Sequence, residues 1–173
     1  MGRRRALLLM DANVLIDYLD SDRRLFSLAS AHVGQVHVPA PLLAEEIVAD
    51  EVDWAALGVV AAEPSAAMFA EAGTRRGSLS FHDWLCVLMA KHYGWTCVTN
   101  DKRLRRECAD RDVPTAWGLE LVVWLVEARA LSATEAMAIA EAVAAGNPGY
   151  VTAAVKARFA QRVRAARGVR RGA

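Results

Sequence analysis

The sequence predicts an α/β fold built on a mainly parallel central sheet. Two patterns lead there. Short apolar segments of strand type alternate with helical segments over the first 117 residues, the order from which parallel sheets are assembled. The first of these segments, Ala6 to Met10, is apolar without a break, as expected of a strand buried on both faces. From Gly118 onward the pattern is helical only.

The elements follow in order. After the first strand, Val14 to Leu19 reads as a short helix and Arg24 to His32 as a second. Gln35 to Val38 alternates and is β-branched, which predicts a strand stopped by Pro39. Pro41 suits a first helical turn, and Leu42, Leu43, Ile47 and Val48 supply helical spacing. Leu57 to Ala62 is a third strand, and a helix runs from Ser65 to about Gly73. Beyond a polar loop, Thr74 to Ser78, Ser80 and Asp83 form a capping signature for a helix that ends at Tyr93, before Gly94. Thr96 to Thr99 is a strand, Lys102 to Ala109 a helix, and Val113 to Ala116 the last strand. Leu119 to Leu131 is apolar nearly all round, so it should be buried in the fold or in a partner. Ser132 and Glu135 open a further helix that stops at Gly146; Asn147-Pro148-Gly149 is a turn, and Tyr150 to Arg167 a basic helix.

Length and composition narrow the function classes. At about 150 residues per domain, 173 residues give one domain with an appendage; the predicted division is 1–131 and 132–173. With 54% hydrophobic and 24% charged residues, the chain is not of the disordered class. The longest clean apolar run, Leu121 to Val126, is far short of the roughly 18 residues a membrane span requires. The run after Arg3 to Arg5 is closed early by Asp11, so no secretory signal is expected. Cys86, Cys97 and Cys108 form no close pair, which fits a reducing cytoplasm. The histidines, His32, His37, His82 and His92, lack zinc spacing, and neither a P-loop nor G-x-G-x-x-G occurs. Charge is unevenly spread: the span 11–141 holds all 20 acidic residues against eleven basic ones, a net of −9, and ten basic residues lie outside it. The basic tail is either a solvated helix face or a surface for an acidic partner or nucleic acid.

The acids show a shared placement. Asp11 directly follows the first strand, Glu45 and Glu46 lie in the first turns after the second, Asp83 opens a helix, and Asp101 follows the Thr96–Thr99 strand. Groups just beyond the carboxyl ends of parallel strands converge on one crevice. Each acid could instead serve only as a helix cap or dipole partner. Together they would repel, and a divalent cation relieves that repulsion. Magnesium takes oxygen ligands, a few carboxylates and substrate phosphate, and the chemistry suited to it is phosphodiester hydrolysis by a metal-activated water.

The ordered segments Leu8-Leu9-Met10-Asp11-Ala12-Asn13-Val14-Leu15-Ile16, Val38-Pro39 with Glu45 and Glu46 beyond it, Leu79-Ser80-Phe81-His82-Asp83, and Cys97-Val98-Thr99-Asn100-Asp101-Lys102-Arg103-Leu104 resemble those of a PIN domain, over residues 7 to about 117. The resemblance implies a PIN-like three-layer fold and an Mg2+- or Mn2+-dependent ribonuclease acting on RNA. It implies acidic metal-site residues at Asp11, Asp83, Asp101 and one of Glu45 and Glu46. Counting from Pro39 favours Glu45, and the apolar Ile47 that follows favours Glu46. Asn13 and Thr99 match polar supporting positions. Many small prokaryotic members resemble VapC toxins, which implies an antitoxin partner and a homodimer. The chain beyond Val126 is longer than such compact toxins need. The apolar Leu119–Leu131 helix is a second reason to expect a homodimer. Residues 132–173 are expected to pack beside the sheet through Ala136, Ile139, Val143, Val151, Val155, Phe159 and Val163, leaving Arg158, Arg162, Arg164 and Arg167 exposed.

Overall fold

The structure is a computed structural model that describes residues 7–45, 47, 52–75 and 77–168. Within these residues the chain forms five strands and nine helices. They are β1 (Leu8–Met10), α1 (Ala12–Ser21), α2 (Arg24–His32), β2 (Val36–Pro39), α3 (Ala40–Glu45), β3 (Val59–Ala62), α4 (Ala66–Thr74) and α5 (Phe81–Tyr93). Then come β4 (Thr96–Val98), α6 (Lys102–Asp110), β5 (Thr115–Ala116), α7 (Gly118–Glu127), α8 (Ala133–Gly146) and α9 (Ala153–Gly168). The sheet is parallel throughout, in the order β3-β2-β1-β4-β5, so the predicted α/β class holds.

The central strands are buried on both faces because helices flank the sheet. All three residues of β1 are buried, as the unbroken apolar run requires. α5 packs against β1, β2 and β4, with α4 and α6 beside it; α2 and α7 form a second group with α8, α9 and α1. Residue-level differences have local causes. Pro39 is the last residue of β2, paired with Ala62 of β3 at the strand's end, where the missing N–H costs little. α1 begins at Ala12, two residues before the predicted start, because Asp11 caps it. Leu57 and Gly58 belong to the turn before β3, where Gly58 takes φ +77°, a conformation open to glycine. α3 is described only to Glu45; Ala6, Glu46, Val48 and Arg76 lie outside the described residues, as do Arg3 to Arg5.

The C-terminal helices pack on the sheet domain. α8 lies along α1, and α9 along α7. Ala136, Ile139, Val143, Val151, Phe159 and Val163 are buried in one continuous core with the sheet, and Val155 is half-buried. This packing removes one reason for expecting a homodimer. Leu119, Leu121, Val122, Val123, Leu125 and Val126 are buried, and α2, α8 and α9 supply the cover within one chain. Among the described residues no helix is long and apolar enough to cross a membrane. All three cysteines are free and buried.

Candidate active site at the carboxyl end of the sheet

The strand order locates a crevice. From β1 the chain builds outward through β2 to β3, then returns to place β4 on the other side of β1 and β5 beyond it. The sheet therefore switches direction between β1 and β4. Ligand sites of open parallel sheets lie beyond the carboxyl ends of the strands at such a switch point. Met10 and Val98 are register partners there, so Asp11 and Thr99 emerge side by side.

Asp11 stands at the centre and is 3% exposed. Its Oδ1 accepts from the Ala12 backbone N–H at 2.6 Å, which caps α1. Its Oδ2 accepts from the Asn13 amide at 2.7 Å and from the Thr99 hydroxyl at 2.7 Å. The carboxylate is thereby fixed in orientation. Burial pushes its pKa up to about 6; the Thr99 hydrogen bond opposes that rise, while the charges of Asp83 and Asp101 add to it.

Thr99 links two acids. Its hydroxyl oxygen donates to Asp11 and accepts from the Asp101 backbone N–H at 3.0 Å. Asp101 caps α6, its Oδ1 accepting from the Arg103 N–H at 2.7 Å and its Oδ2 from the Arg103 guanidinium at 3.1 Å. Burial works against ionisation of Asp101, but the Arg103 side chain and the two backbone N–H groups outweigh it and hold the carboxyl below its usual range. Asp83 forms the predicted capping box: its backbone N–H donates to Ser80 Oγ at 3.1 Å and its Oδ2 accepts from the Ser80 N–H at 2.7 Å. Glu45, at the end of α3, meets the start of α5, with Oε2 3.2 Å from His82 Nε2. Glu46, the other candidate from the sequence, lies outside the described residues. Asn13, beside its bond to Asp11, accepts at Oδ1 from the Asn100 N–H at 3.2 Å.

One part of the site is not foreshadowed by the acids. Asn100 is buried, donates through Nδ2 to Asp17 Oδ2 at 3.0 Å, and accepts at Oδ1 from the Gly118 N–H at 3.0 Å. Asp17 Oδ1 accepts in turn from Asn147 Nδ2, at 3.2 Å. Burial raises the Asp17 pKa, against the two amides. The available signal was the Asn13–Asp17 spacing, which puts a second polar side chain one turn further along α1.

Hard oxygen donors beyond β1 and β4 suit a magnesium-like cation in donor type; burial is the main cause of the raised Asp11 pKa, and a bound cation would relieve the part that the charges of Asp83 and Asp101 add. Among the described residues, no three Asp, Glu, His or Cys side chains are close enough to hold one metal ion. The crevice thus gathers the charges of Asp11, Asp83 and Asp101 without closing a three-ligand shell. No protein-family model, curated protein or solved structure matches the chain.

Proposed function

We propose that the chain is a PIN-like, metal-dependent endoribonuclease that hydrolyses RNA phosphodiester bonds at the β1/β4 crevice. The observation that carries this reading is the buried Asp11 carboxylate at the sheet's switch point, lifted to a pKa of about 6 and under the influence of Asp83 and Asp101. Asp11, Asp83 and Asp101, with Glu46 or Glu45, would hold Mg2+ or Mn2+. When bound, such a cation supplies charge neutralisation at phosphate and an activated water. The chain's own contribution is positioning. Thr99 and Asn13 orient Asp11, and Thr99 also anchors the backbone of Asp101. With a pKa of about 6, Asp11 is mainly ionised above neutral pH and ready to receive a cation. Arg103, exposed and paired with Asp101, supplies positive charge at the crevice rim.

A mixed RNA pool incubated with EDTA, Mg2+ or Mn2+ tests the reading. Wild type should cleave only with a divalent ion, and Asp11→Asn should reduce cleavage to the EDTA level. Equal cleavage by purified protein in EDTA would exclude the metal mechanism. Pairing with an antitoxin is the finer form of this proposal, tested by whether a protein partner suppresses the cleavage. A second reading, a catalytically weak PIN-like module that binds RNA or a protein, is favoured by the absence of a closed three-ligand shell among the described residues. RNA binding without divalent-dependent cleavage would support it.

A further inference from the structure

A cleft of about 430 Å3 lies between the N-terminal half of α7, the turn before α9, and α9 itself. It falls within the range of roughly 300–1,000 Å3 typical of ligand sites. Its apolar lining includes Leu119, Val123 and Phe159, and it is also lined by Asn100 and Lys102, the residues on either side of Asp101. The cleft therefore begins at the carboxyl end of β4, where the acidic crevice lies.

Charge and ring chemistry identify the occupant. Three cations, Lys102, Arg158 and Arg162, line the cleft against one carboxylate, Glu120. Glu120 is occupied by Arg162 at 3.1 Å, whereas Lys102 and Arg158 are exposed and form no ion pair among the described residues. This is an excess of positive charge on a protein whose span 11–141 carries −9. Two aromatic rings also face solvent here: Trp117 is 38% exposed and Tyr150 43%. The Arg105 guanidinium lies 3.8 Å from the centre of the Trp117 ring, bracing that ring by a cation–π contact. Flat rings interleaved with unpaired cations are the chemistry that binds unpaired bases and their phosphates. Bases stacked within a duplex cannot present their faces to Trp117 or Tyr150.

We propose that the α7/α9 cleft binds a single-stranded segment of the RNA substrate, with bases stacked on Trp117 and Tyr150 and phosphates on Lys102 and Arg158. The identity of the strand as substrate rests on the ribonuclease reading; the cleft's capacity to bind it does not. The C-terminal extension then completes a track that leads from the acidic crevice across the face of α7.

Binding is measured in EDTA, by fluorescence anisotropy of a labelled single-stranded oligoribonucleotide of about ten nucleotides. Tyr150→Ala and Trp117→Ala should each weaken it about fivefold or more, the cost of one lost stacked base. Arg158→Gln should reduce the slope of log affinity against log salt by about 0.7, as one phosphate contact on a single strand predicts. Arg23→Gln, at an exposed charge just before α2, should change neither quantity. Tyr150 and Arg158 are exposed, so both variants should melt like wild type by circular dichroism, which separates binding from folding. Wild-type binding by Tyr150→Ala and Arg158→Gln would overturn the proposal. So would a duplex that binds as well as the single strand, or a polyglutamate peptide that binds the cleft when the oligonucleotide does not. Cleft-dependent binding without Mg2+- or Mn2+-dependent cleavage would refute the ribonuclease reading and retain the cleft. Divalent-dependent cleavage with binding indifferent to these variants would do the reverse.

Discussion

At the scale of single residues, Asp11 pays for its position in stability. A carboxyl with a pKa of about 6 in the folded chain, against 3.8 ordinarily, binds more protons folded than unfolded between those values. Its contribution to stability is therefore present below about pH 4 and is lost as pH rises through about 6. The shift corresponds to about 3 kcal/mol at 1.36 kcal/mol per unit. Asp11→Asn removes this titration. The variant should gain about 3 kcal/mol relative to wild type between acid and neutral conditions, whatever constant offset the amide introduces. Urea unfolding of both proteins at pH 4 and pH 7.5 measures most of the gain, about 2.5 kcal/mol; a difference that does not change with pH would contradict the raised pKa of Asp11. A cation bound at these carboxylates would offset the cost of keeping Asp11 ionised. Wild type should therefore gain about 2.7 kcal/mol at a Mg2+ or Mn2+ concentration a hundredfold above its dissociation constant, and Asp11→Asn should gain much less in the same thermal melt.

At the scale of elements, three of the candidate acids also have a helix to serve. Asp11 and Asp101 are N-caps, and Asp83 completes a capping box. A capping role and a metal-binding role are compatible at these residues, because a carboxylate that satisfies one backbone N–H keeps its charge. Elements approach closely at Gly118. A Cβ there would lie 3.2 Å from Val14 Cγ1 and 3.4 Å from Asn100 Nδ2. The backbone of Gly118 is also tied at both ends, its N–H donating to Asn100 and its carbonyl accepting from the Tyr18 hydroxyl at 2.8 Å. It has little room to retreat. Gly118→Ala should cost about 1–3 kcal/mol by overpacking, read from the urea midpoint, and should loosen Asn100 with it. A neutral substitution would show that α7 can shift away from α1. None of this closeness is legible in a tryptophan-glycine pair at the start of an apolar helix.

At the scale of the whole molecule, the C-terminal extension is part of the core. Phe159 and Val163 are buried against the same cluster as the sheet, and α9 covers α7. Lys156 pairs with Glu141 at 2.9 Å and Arg162 with Glu120 at 3.1 Å. Exposed pairs of this kind contribute at most about 1 kcal/mol each, so apolar burial is what holds α9. Phe159→Ala should cost about 3–5 kcal/mol, while Lys156→Gln should cost less than about 1 kcal/mol; the comparison is made by urea unfolding. Comparable costs would mean that charge, not burial, docks the extension. A chain ending at Gly146 should self-associate in light scattering, because the α7 residues that α9 covers would then face water.

Local sequence determined what depends on near neighbours. The apolar run of β1, the Ser80–Asp83 box, the cap at Asp101 and the amphipathic spacing of α8 are contacts within a few residues, so pattern and side-chain chemistry suffice to read them. The placement of Asp11 and Asp101 just beyond β1 and β4, and of Asp83 at the start of α5, was legible for the same reason, since each acid's place is set by its own strand or helix. Only the tertiary structure decided which strands are neighbours. The pairing of β1 with β4 brings Thr99 to Asp11 across 88 positions, and the Asp17–Asn147 contact spans 130. It also decided that α7 is covered from within the chain and that Trp117, Tyr150 and Arg158 share one cleft. Such pairings depend on how buried faces fit together over the whole chain, and no residue's own neighbours in sequence encode them.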